Sequence, residues 1–314
     1  MSTVKNTVNR QQPVLYIKEF CRMKIIDILN SKSVTLSFEV FPPKTAAAVP
    51  AAEKAALDIA ALRPDFMSVT YGAGGGTSDF TVHIAEKIKG VAGVEVMPHL
   101  TCISSTKEKV RTMLESFRNG GFETVMALRG DIPAEGIPHR DYGYASELVA
   151  DIRKYCPGMC IGGACYPDGH CEAPNKDADI ENLKKKVDAG VEFLSTQMFF
   201  DNAVFYNYLY RLRAEGITVP VLAGIMPITG AKLLGRSVTM SGTTVPARYR
   251  AIIDAYGDSP EAIKQAGIIY ASEQITDLLA NGVKNIHVFT MNKPDVAEAV
   301  YSNIKPALDY LNGN

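Results

Sequence analysis

A glutamate in the middle of an apolar run is the first residue of this chain that asks for a chemical explanation. Glu39 lies in FEVF, within TLSFEVFP, where a carboxylate is costly to bury unless it is paired or its ionisation is used. Apolar flanks and strand burial are expected to raise its pKa, preparing it to deliver a proton near neutral pH. The structural alternative is a carboxylate neutralised by a buried arginine. Other polar residues end similar apolar runs: Thr70 and Tyr71, His99, Arg129 and Asp131, Tyr166, Gln197, and Asn292 with Lys293. Purely structural positions would carry Val, Ile or Leu, so polar groups repeated at run ends point to an enzyme's ligand site.

The Arg129-Gly130-Asp131 tripeptide follows VMAL directly. At a strand end Arg129 can meet a phosphate, and Asp131 can accept hydrogen bonds from an N–H-rich ring. His99 has no metal-ligand spacing around it, which leaves a satisfied core histidine and a ligand contact as its two readings. His170, in YPDGHCEAP, is either a ligand contact or simply exposed. The run from Asn182 to Lys186, with Asp179 ahead of it, reads on its own as a solvated helix face. GAGGGT (Gly72 to Thr77) departs from a dinucleotide fingerprint because Thr77 replaces the third glycine; it reads as a flexible loop that lets backbone approach a flat ligand. Cys156, Cys160, Cys165 and Cys171 are spaced C-x3-C-x4-C-x5-C, without paired C-x2-C knuckles, and are expected to be ordinary buried thiols; no metal site is expected.

These residues need a scaffold that brings run ends together. Eight apolar runs read as buried strands: Thr35 to Pro42, Phe66 to Gly72, Glu95 to Cys102, Thr124 to Gly130, Cys160 to Pro167, Phe193 to Phe200, Val219 to Pro227 and Asn285 to Asn292. Helix-like stretches such as TKEKVRTMLESFRNG and NAVFYNYLYRLRAEG alternate with them, several closing on a C-cap glycine. Eight such units predict one α/β domain, a (β/α)8 TIM barrel over residues 23–314, whose active site gathers at the C-terminal strand ends. Extra helices are expected after the seventh strand, at Lys232 to Met240, Pro246 to Tyr256 and Pro260 to Ala280. Residues 1–22 read as an N-terminal extension, with Met23 an alternative start. A composition 46% hydrophobic and 21% charged supplies a large core, and a net charge of -1 gives no field for nucleic acid or anionic membrane. No apolar run is long enough for a membrane span, and neither a signal peptide nor an anchor is read.

SFEVFPPK, SVTYGAGGG, PHLTC, ALRGD, CYPDGH, NLKKKVDAG, TQMFFD, GIMPI and FTMN occur in that order from about Leu36 to Ile304. Their conjunction resembles the bacterial-type methylenetetrahydrofolate reductases. The resemblance implies an FAD-containing barrel that reduces 5,10-methylenetetrahydrofolate to 5-methyltetrahydrofolate by a ping-pong route, with NADH or NADPH as electron donor, in one-carbon and methionine metabolism. It implies Glu39 as the acid that opens the methylene bridge, and Asp131 as the carboxylate holding the pterin and tuning the flavin. It further implies Gln197 as an amide shared by folate and nicotinamide, and Lys293 near the folate tail. The flavin contacts it implies are Thr70, Tyr71, Ala73, His99, Arg129, Gly130, Tyr144, Ala145, Tyr166, His170, Asp179, Asn182, Lys185 and Lys186.

After GIMPI the chain departs from the family pattern, with Leu233 where a glutamine is common, and Lys293 stands where some members carry arginine. That departure motivates an alternative, a subunit of an electron-transfer complex whose flavin is reduced by a partner protein; another is a flavin barrel of the proline dehydrogenase type. A cytoplasmic location, small-molecule folate and nicotinamide partners, and a homo-oligomer are expected.

Overall fold

Each of the eight apolar runs supplies one strand, because alternate residues of a barrel strand face the surrounding helices and the barrel interior and both environments are apolar. In the computed structural model, residues 23–71, 78–103, 105–132, 136 and 141–313 are described. The expected extension at 1–22, the glycine loop at 72–77 and with it Ala73 lie outside the described residues. The strands are β1 (Thr35–Val40), β2 (Phe66–Val69), β3 (Glu95–Thr101), β4 (Thr124–Leu128), β5 (Cys160–Cys165), β6 (Phe193–Thr196), β7 (Val221–Ile225) and β8 (Asn285–Phe289). All pair in parallel, and β1 also pairs with β8, which closes the barrel.

The helices are α1 (Ile25–Ser31), α2 (Val49–Ala60), α3 (Ser78–Lys87), α4 (Lys107–Asn119), α5 (Ala145–Tyr155), α6 (Lys176–Asp188), α7 (Asn202–Ala214), α8 (Ala231–Ser241), α9 (Ala247–Tyr256), α10 (Pro260–Ala280) and α11 (Pro294–Leu311). The three helices expected after β7 are α8, α9 and α10. Outward strand residues such as Phe38, Val96, Val125, Ile161 and Val288 pack against the helix ring as one large core. Caps fix where helices begin: the Thr106, Asn175 and Asp201 side chains accept backbone N–H groups at the starts of α4, α6 and α7.

The sequence reading assigned no helix to Ile25–Ser31, yet α1 closes the N-terminal end of the barrel. Its Ile25, Ile28 and Leu29 pack with the inward residues Phe66, Met97, Met126, Cys160, Phe193 and Leu222. The Ile25 N–H donates to Thr124 Oγ1 at 3.0 Å. Gly162 makes room for this layer, since a Cβ there would lie 2.7 Å from the Phe193 ring.

The strands stop short of the apolar runs. Thr70, Arg129, Tyr166, Gln197 and Asn292 lie just past them, on the C-terminal rim. Of the clustered cysteines, Cys156, Cys160 and Cys165 are buried as expected, whereas Cys171 is exposed on the loop after β5. Burial pushes the Cys160 and Cys165 thiols up to about 12, so they stay protonated and inert. Among the described residues no group of His, Cys, Asp or Glu is arranged to hold a metal ion, and no helix is long and apolar enough to cross a membrane.

Candidate active site

Parallel register builds the polar centre of the mouth. β1 aligns Glu39 with Ser68 of β2 and Ser37 with His287 of β8, so alternate inward positions on neighbouring strands converge. The Ser68 hydroxyl donates to Glu39 Oε2 at 3.2 Å, while His99 Nε2 and His287 Nε2 each stand 3.5 Å from that oxygen. Ser68 Oγ is also 3.3 Å from His287 Nε2, and Ser37 Oγ is 2.7 Å from His287 Nδ1. The Glu39 side chain keeps 18% of its surface, against 1% for His287.

This corrects two expectations about Glu39. Its partners are two histidines and a serine, not a buried arginine. Burial does push its pKa up, but the hydrogen bond facing His287, the positive fields of His99 and His287 and the Ser68 hydroxyl outweigh it, leaving the carboxyl below its ordinary 4.5. Burial lowers the pKa of His99 from 6.5 against the pull of Glu39. His99 Nε2 is buried without a hydrogen-bond partner, an orphan donor or acceptor at the mouth.

A second polar group lines the rim beyond β4 and β5. Arg129 grips the Glu172 carboxylate with both terminal nitrogens, each at 2.6 Å, and its pKa is raised chiefly by that bond. Gly130 follows at φ +87, a conformation that glycine tolerates, with Thr101 and Ile103 packed where a side chain would go. Asp131 is exposed, and its charge adds to the field on Arg129. Tyr166 and His170 meet edge to face at 4.6 Å, and the His170 N–H donates to Asp179 at 3.3 Å. Burial lowers the pKa of Lys186, whose Nζ donates to the Ala164 carbonyl at 2.7 Å. Asp179, by contrast, is pushed up by burial. Lys185 and Asn182 are exposed and bonded to each other at 3.2 Å, in keeping with a solvated face.

The remaining expected residues occupy the same rim. The Thr70 N–H donates to Val40, and its carbonyl accepts from Thr81. Burial raises the pKa of Tyr71. Tyr144 is 63% exposed at the start of α5, directly before the buried Ala145. Gln197 turns its Oε1 back to accept from the Met198 N–H at 3.0 Å. Lys293 Nζ donates to Thr229 at 2.5 Å, which ties the loop after β8 to the neighbouring loop after β7. Asn292, left-handed at φ +53, brackets Phe41 by accepting its N–H and donating to its carbonyl, both at 2.9 Å. Leu233 packs beside Met198, Phe200, Ile228, Leu234 and Tyr249, where it fills a satellite core.

Sequence reasoning missed Ser37, Ser68, Glu172 and His287. A histidine at the third place of NIHVF was the signal available for His287, since it carries the same inward parity as Asn285 and Phe289.

A family model described as methylenetetrahydrofolate reductase matches residues 24–305. The 5,10-methylenetetrahydrofolate reductases of Pectobacterium carotovorum and Escherichia coli are each 36% identical to this chain, the matches covering 85% of it and 89% of each relative. The Arabidopsis thaliana protein named methylenetetrahydrofolate reductase (NADH) 1 is also 36% identical, over 90% of this chain and 51% of its own length. Among solved structures, a Clostridium thermocellum protein described as binding two copies of 5-methyl-5,6,7,8-tetrahydrofolic acid has a TM-score of 0.65 at 15% identity, covering 92% of this chain and 100% of that one; the likeness shows the barrel fold. With the family model spanning nearly the whole described barrel and the bacterial relatives matched over most of their length, this chain belongs to the methylenetetrahydrofolate reductase family.

Proposed function

We propose that the chain reduces 5,10-methylenetetrahydrofolate to 5-methyltetrahydrofolate, with NADH or NADPH as electron source and FAD as the group that takes and gives the hydride, in two half-reactions at one site. The observation that carries this reading is the Glu39 carboxylate at the mouth, held by Ser68 and flanked by His99 and His287. The rim also fits FAD by the chemistry of its donors. Arg129, Lys185 and Lys186 offer cations to a diphosphate, Tyr166 and the exposed Tyr144 offer faces to flat rings, and His99 Nε2 is an orphaned polar atom among them. Thr70, Tyr71, Ala73, Gly130, Ala145, His170, Asp179 and Asn182 complete the contacts proposed for it. When bound, FAD would supply the hydride transfer between nicotinamide and folate.

The chain's own residues do the rest. Glu39 delivers a proton to a nitrogen of the methylene bridge; that carbon–nitrogen bond breaks, its electron pair stays on the nitrogen, and the cation left on the methylene accepts the hydride. Asp131 holds the pterin, Gln197 turns its amide to folate or nicotinamide, and Lys293 faces the folate tail. Anaerobic addition of NADH and then NADPH to the purified protein tests the reading. Flavin bands that bleach, recover with methylenetetrahydrofolate and release FAD on denaturation are expected. No flavin, or FMN in its place, overturns it. A second reading rests on Leu233, which is built into the satellite core and offers no amide: a partner protein reduces the flavin, and failure of both nicotinamides to bleach it would favour that route.

A further inference from the structure

The acid assigned above meets a difficulty in its own surroundings: with its pKa below 4.5, Glu39 holds no proton to give near neutral pH in the free protein. The proton has to be stored nearby and reach Glu39 only when it is needed. His287 is placed for that task. The Ser37 hydroxyl lies 3.2 Å from the Ile286 carbonyl and 2.7 Å from His287 Nδ1, and when its proton goes to the carbonyl it accepts from the ring. In that arrangement Nδ1 carries a hydrogen and Nε2 is the nitrogen turned toward the mouth. Nε2 looks at Ser68 Oγ at 3.3 Å and at Glu39 Oε2 at 3.5 Å, and Ser68 in turn donates to Glu39. Phe66 lies parallel to the ring at 6.3 Å and Phe289 meets it edge-on at 5.4 Å, so the imidazole has little freedom to turn. The titratable groups facing it are Glu39 from β1 and His99 from β3, whose own pKa burial lowers.

We propose that His287, anchored by Ser37, is the positioning residue that stores the proton delivered by Glu39 and passes it on when a ligand covers the barrel mouth. This rests on Glu39 being the acid of the proposed reaction. In the proposed open state the proton rests on His287 while water reaches the Glu39 carboxylate. A flat ligand over the mouth expels that water, and a charge-separated pair in dry surroundings reverts to the neutral one. The Nε2–H proton moves to Ser68 Oγ as the hydroxyl proton moves to Glu39 Oε2, leaving a neutral ring, an intact serine and a carboxylic acid. Glu39 then gives that proton to the bridge nitrogen and is again a carboxylate. After the product leaves, the pair takes a proton from solvent at the more exposed Glu39, and it returns to His287 by the same path.

The test is infrared difference spectroscopy of the protein with its flavin reduced, with and without 5-methyltetrahydrofolate, whose hydride then has no acceptor in the mouth, with glutamate isotopically labelled. A protonated-carboxyl band that appears on binding, and is missing in Glu39→Gln, is the expected signature. In His287→Gln that band should be lost, and folate reduction should fall about ten-fold for each pH unit above neutrality, because the proton must now come from bulk solvent. Should His287→Gln not fold, Ser37→Ala removes only the ring's anchor and should weaken the same band. A full band in the folded variant, or a Glu39 already protonated before ligand is added, overturns the storage role. Unimpaired folate reduction in Glu39→Gln would instead overturn the acid assignment itself, which separates the two failures.

Discussion

The two ends of this barrel are made from the same eight strands and have opposite contents. At the N-terminal end, Phe66, Met97, Met126, Cys160, Phe193 and Leu222 fill the interior and α1 seals it with three further apolar side chains. A few residues along the same strands, Ser37, Glu39, Ser68, His99 and His287 bring hydroxyls, imidazoles and a carboxylate to the mouth. Burying polar groups there lowers stability relative to an apolar layer, so the sealed end must supply the packing that keeps the mouth's geometry fixed. One end is organised for cohesion and the other for chemistry, and substitutions at each should fail in different ways.

The sharpest break in this contrast would come from Glu39→Gln, which keeps size and hydrogen bonding but removes the transferable proton. Folate reduction should fall by about a hundred- to ten-thousand-fold while the protein still folds and still binds flavin. Stopped-flow reoxidation of the reduced flavin reads this directly, and a wild-type rate would make the mouth merely structural. At the sealed end, Phe193→Ala should cost about 3–5 kcal/mol in urea unfolding and leave the rate per folded molecule within about two-fold. A large rate loss there would mean that the two ends are not separable. Asp131→Asn should weaken folate reduction by about ten-fold and flavin reduction by the donor less, because its charge is assigned to the pterin; equal losses would make it a structural residue.

The smallest effect expected is on acid stability. The folded pKa of Glu39 is below the ordinary 4.5, so the unfolded chain takes up this proton first as pH falls. The stability contributed by the ionised carboxylate is therefore present above pH 4.5 and is lost as pH falls through the folded value. Urea titrations from neutral pH downward should show the gap between wild type and Glu39→Gln narrowing below that point. A gap independent of pH would mean that the histidines do not hold the carboxylate charged.

The eight strands were legible because a barrel strand buried on both faces writes itself as a short apolar run bounded by polar rim residues. Glu39 was legible for the opposite reason, as a charge in such a run. Its pKa was not, since burial can be read from FEVF while the imidazoles that outweigh it arrive from β3 and β8, 60 and 248 positions along the chain. Ser37, Ser68 and His287 stayed hidden because a single small polar residue or histidine in a strand gains meaning only from register, which is a relation between strands. α1 was missed because seven residues are too few to establish a helical period. The Arg129–Glu172 pair joins two loops, whose approach no local pattern encodes.

The seam between β1 and β8 joins residues about as far apart as this domain allows: the Glu39 carbonyl accepts from the Thr290 hydroxyl at 2.6 Å, across 251 positions. During synthesis the ribosome must therefore release nearly the whole chain before β1 acquires its second neighbour. Until then Glu39 lacks His287, the backbone clamp from Thr290 and the bracket that Asn292 places around Phe41. A nascent chain stalled anywhere before β8 would carry the proposed acid without the groups that surround it in the barrel, and activity should emerge abruptly, with the last strand.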